Sequence, residues 1–481
     1  MMATATIGSG TPLCVDLDGT LVSTDILWES LIALVRHQPW ALALLPAWLL
    51  GGKAHFKRKL AERIVVDPAT LPYRDKVLDM LRAEHAAGRE IVLTTASDAG
   101  PAQAIAHHLG IFSAVYASDG ITNLSGSAKL DAIRKHVAGG RFDYIGDARA
   151  DLVIWKAARE AILVDPSSRL LGEAKRHVRV DRVMRSESAR LRALIRALRP
   201  HQWVKNTLLF MPLMLSHKLG NTAVFGQALI AFAAFSLAAS SVYVTNDLLD
   251  LEADRAHPRK RRRPFASGAL SIRTGVLLVP VLLGLAFTTA ALFLPPLFTV
   301  GLVAYVVLSS AYSLYIKRLV LLDVFMLAGL YTLRVLAGGL ATGIEISPWL
   351  AAFSMFFFTS LAFLKRYSEL LLLGEHQQTQ FHRRDYAASD MDLLRSLGSA
   401  CGFVSVLVLA LYINSPAVFE LYERPSALWL VVPLFLYWVS RIWLFGHRGK
   451  VQDDPIVFAI KDPASYVIAV LIAAIMVLAT L

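Results

Sequence analysis

Cysteine is scarce in this chain, since only Cys14 and Cys401 occur among its 481 residues. Two cysteines cannot form a disulfide framework, and both stand at positions typical of ordinary apolar-site thiols. The chain also lacks a basic start followed by an apolar run, because its first 12 residues are small and polar. The sequence therefore predicts no cleavable secretory signal.

Acidic residues are outnumbered, with 37 Asp and Glu against 49 Lys and Arg and a formal net charge of +12. Hydrophobic residues make up 55% of the chain, above the roughly 45–50% that is usual for globular domains. Residues 1–200 alternate as in a soluble domain, whereas residues 207–481 contain repeated apolar runs of membrane-spanning length. The basic residues concentrate in loops between those runs, so the charge indicates membrane topology and phosphate binding rather than a nucleic-acid partner.

The apolar runs predict nine spans, near 207–221, 224–246, 274–292, 295–315, 319–341, 348–364, 396–416, 426–444 and 463–481. The loops after the second, fourth, sixth and eighth spans carry Arg255, Arg259 to Arg263, Lys317, Arg318, Lys365, Arg366, Arg383, Arg384, Arg448 and Lys450. Loops on the other side have little beyond Lys218 and Arg424. The positive-inside rule then predicts a multi-pass protein of the plasma (inner) membrane, with its basic loops and N-terminal domain in the cytoplasm.

Two further segments belong near the membrane surface. Residues 179–200 are basic and periodic, which predicts an interfacial linker helix between a domain at 1–178 and a membrane domain at 201–481. The apolar positions expected to face lipid on that helix are Leu191, Leu194, Ile195 and Leu198. Residues 26–50 are apolar but interrupted by charges and two prolines, so they predict a cap helix or a membrane-resting hairpin rather than another span.

A cluster of acids follows the second predicted span. Asp247, Asp250 and Asp254 are spaced i, i+3, i+7 and would share one face of a helix, just before the basic run 259–263. Carboxylates so close together repel one another, and Mg²⁺ binds such oxygens together with phosphates and water. Guanidinium groups bind phosphate, so the segment predicts a magnesium–diphosphate site at a membrane surface. The alternative is an ordinary solvated juxtamembrane loop.

Polar residues also end three short apolar strands of the N-terminal domain, at 13–20, 91–97 and 142–147. Helical patterns separate these strands, which predicts an α/β domain with a parallel sheet. Ligands of such sheets bind beyond the carboxyl ends of the strands, where all of these polar residues fall.

The segment Asp16-Leu-Asp18-Gly-Thr20 resembles the first motif of the haloacid-dehalogenase phosphatase superfamily, and the other motifs follow in that family's order over residues 11–175. The resemblance implies a Rossmann-like fold with a helical cap at about 22–85. It implies the following roles: Asp16 as nucleophile, Asp18 as general acid/base, Thr95 and Lys129 as phosphate-binding groups, and Asp16, Asp18, Asp147 and Asp151 around Mg²⁺. Chemically, a carboxylate attacks a phosphate dianion only if Mg²⁺ and a lysine offset the repulsion. Lys135 is the alternative to Lys129, and a supporting domain without activity is the alternative to a phosphatase.

The segment Asn246 to Asp254 matches the Asn-Asp-x-x-Asp-x-x-x-Asp pattern of the UbiA superfamily of intramembrane prenyltransferases, and the predicted topology resembles that family as well. Residues 199–206, 254–258 and 262–264 are similar to its phosphoribosyltransferase branch. Members of that branch join phosphoribose from 5-phosphoribosyl diphosphate (PRPP) to a polyprenyl phosphate such as decaprenyl phosphate. The resemblance covers about residues 195–481.

The aromatic prenyltransferases of the superfamily carry a second acidic motif, Asp-x-x-x-Asp, but here Asp323 is followed four residues later by Leu327. A prenyl diphosphate held between two acidic motifs is therefore not expected. Arg334 lies inside an apolar span, where an isolated charge costs at least about 2.5–3.5 kcal/mol, so it needs a phosphate or an acid such as Asp323 nearby. The groups expected to bind substrate are Lys205, Asn206, Asn246, Arg255, Lys260, Arg263, Arg334, Lys365 and Arg366.

Together these patterns predict a bifunctional enzyme. The membrane domain would transfer 5-phosphoribose from PRPP to polyprenyl phosphate, with Asp247 and Asp250 as catalytic residues and Mg²⁺ as cofactor. The N-terminal domain would then remove the 5-phosphate from the lipid-linked product, since both sites share one membrane surface. The alternatives are an aromatic prenyltransferase using a prenyl diphosphate, or a transporter or scaffold with a vestigial phosphatase.

Overall fold

The computed structural model describes residues 10–137, 140–186, 190–375, 386–451 and 454–481. The described chain divides into two compact units. Unit 1 comprises the residues up to Leu198 together with Tyr243–Pro280, and unit 2 comprises Arg199–Val242 together with Val281–Leu481. Arg383 and Arg384 of the predicted cytoplasmic loops lie outside the described residues.

Unit 1 contains a six-stranded, fully parallel sheet in the order β3-β2-β1-β4-β5-β6. The strands are β1 (Leu13–Val15), β2 (Ile91–Asp98), β3 (Ala114–Ser118), β4 (Asp143–Gly146), β5 (Ala161–Val164) and β6 (Val180–Met184). In β1, Leu13 and Val15 pack into one apolar cluster and Cys14 into another, because alternate side chains point to opposite faces of a strand. The predicted parallel α/β fold is confirmed.

The helices complete both units. In chain order they are α1 (Ile26–His37), α2 (Leu45–Leu50), α3 (Gly52–Arg63), α4 (Asp75–Ala86), α5 (Ala99–Leu109), α6 (Ser127–His136), α7 (Leu152–Ala157), α8 (Ser168–His177), α9 (Arg190–Leu198), α10 (Met211–Leu215), α11 (Thr222–Leu249), α12 (Leu251–Ala256), α13 (Ile272–Phe293), α14 (Pro296–Leu314), α15 (Leu322–Thr342), α16 (Pro348–Glu375), α17 (Met391–Ile413), α18 (Pro416–Leu421), α19 (Val431–His447), α20 (Pro455–Lys461) and α21 (Pro463–Thr480).

The insertion between β1 and β2 contains a small apolar cluster of its own, built from α1, α2, α3 and the 3-10 helix Pro39–Leu44. The later helix α4 instead packs on the sheet, through Val77, Leu78 and Leu81. The predicted linker helix at 179–200 is wrong in its first part, because residues 180–184 form β6 and pair with β5. Among the described residues of this segment, α9 is the α-helix. Of the four positions predicted to face lipid, Leu191 and Ile195 are exposed, whereas Leu194 and Leu198 are half-buried.

Eight helices of the described chain are long and apolar enough to cross a membrane: α11, α13, α14, α15, α16, α17, α19 and α21. The prediction of nine spans is therefore wrong by one. The segment expected near 207–221 forms a 3-10 helix, Pro200–Phe210, followed by the five residues of α10. At 1.5 Å per residue, a helix of that length falls far short of the ~30 Å hydrocarbon layer.

Candidate functional site

Three strands of unit 1 place acids and hydroxyls at one edge of the sheet. Asp16 follows β1, Thr95 and Ser97 lie near the end of β2, and Asp147 follows β4. Since parallel strands end at the same edge, residues far apart in sequence meet there. This edge is the candidate phosphatase site.

Carboxylate oxygens of Asp16, Asp147 and Asp151 lie within 4.8 Å of one another. Two glycines leave room for them, because a Cβ at Gly19 would lie 2.3 Å from Asp147 and one at Gly146 would lie 2.6 Å from Asp151. Gly19 also has a φ of +76°, which glycine adopts without strain. The local backbone is thus fitted to a cluster of three acids.

Burial of this cluster penalises its negative charge. Burial raises the pKa of Asp16 well above its usual range, aided by Asp151 and Asp147 and opposed by Lys129. Burial, together with Asp151, also raises the pKa of Asp147 to about 7. A bound divalent cation would offset both effects, so this oxygen donor set fits Mg²⁺.

The choice between the two lysines is decided by burial. The Lys129 Nζ donates to Asp16 Oδ1 at 2.8 Å and lies 3.6 Å from Asp151 Oδ1. Tyr144 connects the same groups, because its hydroxyl accepts from Lys129 and donates to Asp151. Lys135 is exposed on the same helix. Lys129 is therefore the residue that neutralises charge here.

Asp18 does not join the three acids. Its Oδ2 accepts from Ser97 Oγ at 2.6 Å and from Thr95 Oγ1 at 3.4 Å, and its Oδ1 accepts from the amide of Ile26 at 2.8 Å. Asp18 is thus held by three donors and is not among the acids whose oxygens lie within 4.8 Å of one another, and its predicted ligand and acid/base roles stay predictions. Ser97 was not predicted as a site residue, although its position at the end of β2 was a signal for it.

The acidic segment of the membrane domain is also part of unit 1. It is not one continuous helix as predicted, because α11 ends at Leu249 and α12 begins at Leu251. Between them, Asp250 is the N-cap of α12, with φ −101° and ψ 16°. Asp247 and Asp254 nevertheless converge, since Arg263 Nη1 donates to Asp247 Oδ1 at 3.1 Å and to Asp254 Oδ2 at 2.7 Å. Asp250 instead lies 3.7 Å from Arg36 of α1.

Two acids of this segment lie in the protein interior. Asp247 and Asp254 are both buried. Burial raises the pKa of Asp254 even though Arg263 acts in the opposite direction. Carboxylate oxygens are ligands of the kind that Mg²⁺ binds together with a diphosphate.

The remaining predicted residues of this segment differ in their surroundings. Asn246 is half-buried, and its backbone carbonyl oxygen accepts a hydrogen bond from the backbone amide of Asp250 at 2.9 Å. Lys260 is exposed. Arg255 was predicted to bind phosphate, but its guanidinium forms a two-point contact with Glu29, at 2.6 and 3.1 Å. That contact is buried and joins the acidic segment to α1, so the structure assigns Arg255 to an internal ion pair.

Unit 2 holds a second cluster of predicted residues. Lys205 Nζ donates to Asp454 Oδ2 at 2.6 Å, and Lys365 Nζ lies 3.5 Å from the same oxygen. Tyr331 donates its hydroxyl to this carboxylate at 3.1 Å. Burial raises the pKa of Asp454, but Lys365, Lys205 and the hydrogen bonds from Lys205 and the Ile456 amide together lower it, so the net shift is downward. One ionised acid thus holds two lysines together.

Asp454 was not predicted as a functional residue. Its signal in the sequence was the Asp454-Pro455 pair, which marks the start of a helix. The side chain does cap α20, because it accepts from the amide of Ile456.

Arg334 extends this cluster into the apolar interior of unit 2. Its Nε donates to Asn206 Oδ1 at 3.0 Å and its Nη2 donates to the Tyr305 hydroxyl at 3.2 Å. Asn206 in turn donates to Ser236 at 3.0 Å. The suggested pairing of Arg334 with Asp323 is wrong, and the groups that Arg334 contacts by hydrogen bonds in the described chain are neutral.

Arg366 forms ion pairs with two acids of unit 2. It pairs with Asp323 at 2.5 Å and Glu369 at 2.6 Å, and it donates to the Tyr312 hydroxyl at 2.7 Å. Arg366 is only 1% exposed. Arg366 thus joins α16 to α15 through Asp323, and its predicted role in substrate binding stays a prediction.

Arg366→Met is expected to lower the thermal stability of the detergent-solubilised protein, because it leaves Asp323 buried without its guanidinium partner. Removing one member of a buried ion pair costs roughly 3–5 kcal/mol. The double variant Arg366→Met/Asp323→Leu is expected to recover much of the loss, since it removes both charges. The control is Arg448→Met, at an exposed position. Equal unfolding midpoints for Arg366→Met and the control would contradict this expectation.

Residues 207–462, more than half of the chain, match the model of the UbiA prenyltransferase family. The chain belongs to the UbiA prenyltransferase family. This confirms the resemblance that the segment Asn246 to Asp254 carried. As a family member with eight apolar helices, it is a multi-pass membrane protein of the prenyltransferase type.

Individual relatives are similar over different parts of the chain. An uncharacterized protein of Sinorhizobium fredii is 39% identical over 472 residues, covering 97% of this chain and 91% of that protein. The nodulation protein NoeC of Azorhizobium caulinodans is 35% identical over 274 residues, covering 56% and 88%. Decaprenyl-phosphate phosphoribosyltransferase of Corynebacterium glutamicum is 37% identical over 196 residues, covering 39% of this chain and 56% of that enzyme.

Proposed function

We propose that this protein transfers 5-phosphoribose from PRPP to a polyprenyl phosphate, and that its α/β domain then removes the 5-phosphate from the lipid-linked product. Both steps would occur at the cytoplasmic face of the plasma membrane. The similarity to a decaprenyl-phosphate phosphoribosyltransferase supports the first step. The cluster of acids and lysine at the sheet edge supports the second.

The observation that supports the proposal most directly is the state of the two residues at the positions of the second acidic motif, Asp323 and Leu327. Asp323 pairs with Arg366 and accepts a hydrogen bond from Tyr386, so its carboxylate is already used inside the protein. Leu327, at the position of the second acid, packs in an apolar cluster with Val324 and Tyr331. These contacts argue against a diphosphate held between two acidic motifs, and hence against a prenyl diphosphate donor.

In the transferase step, Asp247, Asp250 and Asp254 would hold the magnesium–diphosphate group of PRPP. Magnesium bound there would neutralise the departing diphosphate while positive charge develops at the anomeric carbon. The acceptor phosphate is already an anion, so no strong base is required.

The cations of unit 2 would also bind phosphate. Lys205, Lys365 and Arg334 place positive charge among apolar helices, where charge is costly unless an anion offsets it. They would therefore bind an anionic group such as a phosphate.

In the phosphatase step, Asp16 would attack the 5-phosphorus and break its bond to the ribose oxygen. Asp18, held by Ser97 and Thr95, would protonate that leaving oxygen and afterwards take a proton from the water that hydrolyses the aspartyl-phosphate. Lys129 would offset the charge repulsion during attack, as its contact with Asp16 permits.

The donor is tested with purified full-length protein offered two substrate pairs, ribose-labelled PRPP with polyprenyl phosphate, and prenyl diphosphate with a hydroxybenzoate. Label is expected in the lipid fraction from the first pair, with no prenylated aromatic product from the second. No prenylated product is expected because Leu327 is apolar and Asp323 is buried in a pair with Arg366, so neither is suited to bind a prenyl diphosphate. A prenylated hydroxybenzoate would replace this proposal by an aromatic prenyltransferase.

A further inference from the structure

The insertion that precedes β2 exposes an apolar hairpin. It consists of the 3-10 helix Pro39–Leu44 and α2, and is called the cap hairpin below. Its exposed side chains are large and apolar, since Trp40 is 63% exposed, Leu49 is 55% exposed and Leu50 is 91% exposed. A contiguous apolar surface on an otherwise water-facing domain marks a site of contact with lipid or protein.

The opposite face of the cap hairpin is firmly packed. Ala41 and Trp48 are buried in a cluster with Leu34, Phe56 and Leu60. The exposed residues are therefore not the result of a loosely attached segment. The cap hairpin has one face fixed to the protein and one apolar face that the described chain does not cover.

The start of the cap hairpin lies beside the end of a membrane span. Arg36, three residues before Pro39, donates from Nη1 to the carbonyl oxygen of Leu249 at 2.6 Å. Leu249 is the last residue of α11, one of the eight spans. The neighbouring His37 lies 3.9 Å from Glu252, which follows that span. Since a span ends where hydrocarbon meets water, these contacts place the cap hairpin near that boundary.

The residues around the cap hairpin are of the kind that favour such a boundary. The guanidinium of Arg63 lies over the rings of Trp40 and Trp48, at 5.2 and 5.3 Å from their centroids. Arg63 and Lys53 are exposed on the adjoining α3. Tryptophan is enriched at membrane interfaces, and basic residues there attract anionic headgroups.

We propose that the cap hairpin is a membrane contact that does not cross the bilayer. Trp40, Leu49 and Leu50 enter the boundary between headgroups and acyl chains, and Lys53 and Arg63 meet anionic lipid headgroups. The occupant of this surface is the lipid bilayer around the protein's own spans. The contact holds the cap at the surface from which a lipid-linked substrate must enter the phosphatase site.

The test uses the full-length protein in bilayers of phosphatidylethanolamine and phosphatidylglycerol. A nitroxide label is attached to Leu50→Cys in a Cys401→Ala background, where Cys14 is buried and unreactive. The matched control is Ala87→Cys, at an exposed position before β2 and so at the sheet edge opposite the strand ends. The accessibility of each label to oxygen and to a water-soluble nickel chelate is measured.

The label at residue 50 is expected to favour oxygen, as in lipid, and the label at residue 87 to favour the nickel chelate. Two labels that both favour the nickel chelate would overturn the proposal. So would low accessibility of the label at residue 50 to both reagents, because that result indicates a protein partner.

A second measurement rests on the proposed phosphatase activity. Leu50→Glu is expected to slow hydrolysis of the bilayer-embedded phosphoribosyl lipid several-fold and to leave hydrolysis of a water-soluble phosphate ester unchanged, whereas Ala87→Glu changes neither. Equal rates on the lipid for Leu50→Glu and Ala87→Glu would count against the membrane contact. If neither substrate is hydrolysed by the unaltered protein, the phosphatase assignment fails, while the label accessibilities still decide the membrane contact.

Discussion

The Asp16→Asn protein is expected to accumulate polyprenyl-phosphoryl ribose that still carries its 5-phosphate, whereas the unaltered protein releases the dephosphorylated lipid. Asparagine has nearly the volume of aspartate but cannot form the aspartyl-phosphate. Phosphatase activity should fall by about a thousandfold or more, as when a member of a catalytic unit is removed. Mass spectrometry of the extracted lipids detects the product that is heavier by one phosphoryl group.

The fold should survive this change. Burial raises the pKa of Asp16, so replacing it with a neutral amide removes charge repulsion with Asp147 and Asp151. Lys129 keeps Asp151 as an acid partner, 3.6 Å away. We therefore expect no drop in the thermal unfolding midpoint and an unchanged rate of phosphoribosyl transfer.

The control for this experiment is Asp131→Asn, at an exposed position on α6, which should release the dephosphorylated lipid. If the unaltered and Asp16→Asn proteins release the same phosphorylated lipid, the α/β domain acts on another substrate. The order of the two reactions would then be wrong, although the transferase assignment would stand.

Asp247→Asn should abolish transfer of phosphoribose while leaving the phosphatase active. Mutation of residues that only support metal ligands already costs roughly 10–100-fold in activity or metal affinity. A predicted ligand that is itself buried beside Asp254 should cost at least about 100-fold. The measurement is incorporation of ribose label from PRPP into lipid, together with hydrolysis of a soluble phosphate ester.

Glu252→Gln is the matched control, because Glu252 lies in the same acidic segment but is exposed. It should transfer phosphoribose at the rate of the unaltered protein. If Asp247→Asn transfers phosphoribose at that same rate, the assignment of the acidic segment to the magnesium–diphosphate site is wrong. The phosphatase prediction does not depend on this result.

Much of the architecture followed from local sequence patterns. Short apolar strands that end in Asp, Thr and Gly predict a parallel sheet with its ligands at one edge, because strand ends meet there whatever the connections between them. Long apolar runs predict spans, because the hydrocarbon layer fixes their length. The Asn246 to Asp254 pattern also identified the family, since it combines residue type with fixed spacing.

Two predictions about helix ends were wrong, for the first span and for the acidic segment, because the hydrophobicity pattern does not predict the local backbone conformation. The predicted first span is instead a 3-10 helix followed by the short α10. The prediction failed because apolar content alone does not specify a continuous helix. The acidic segment breaks at Asp250, where the backbone leaves the helical conformation. The helical spacing of the acids therefore did not predict the break between α11 and α12.

Partner choice was decided only by the tertiary structure. Sequence spacing alone favoured Lys129 over the nearby Lys135, and in the structure Lys129 is the lysine that pairs with Asp16. Arg255 pairs with Glu29, from which it is separated by 226 positions in the sequence. Lys205 pairs with Asp454 across a separation of 249 positions. Such pairs form because burying a charge is costly unless an opposite charge lies within hydrogen-bond distance. The sequence determined which charges had to be compensated, and the packing of distant helices and strands determined which partner compensates each one.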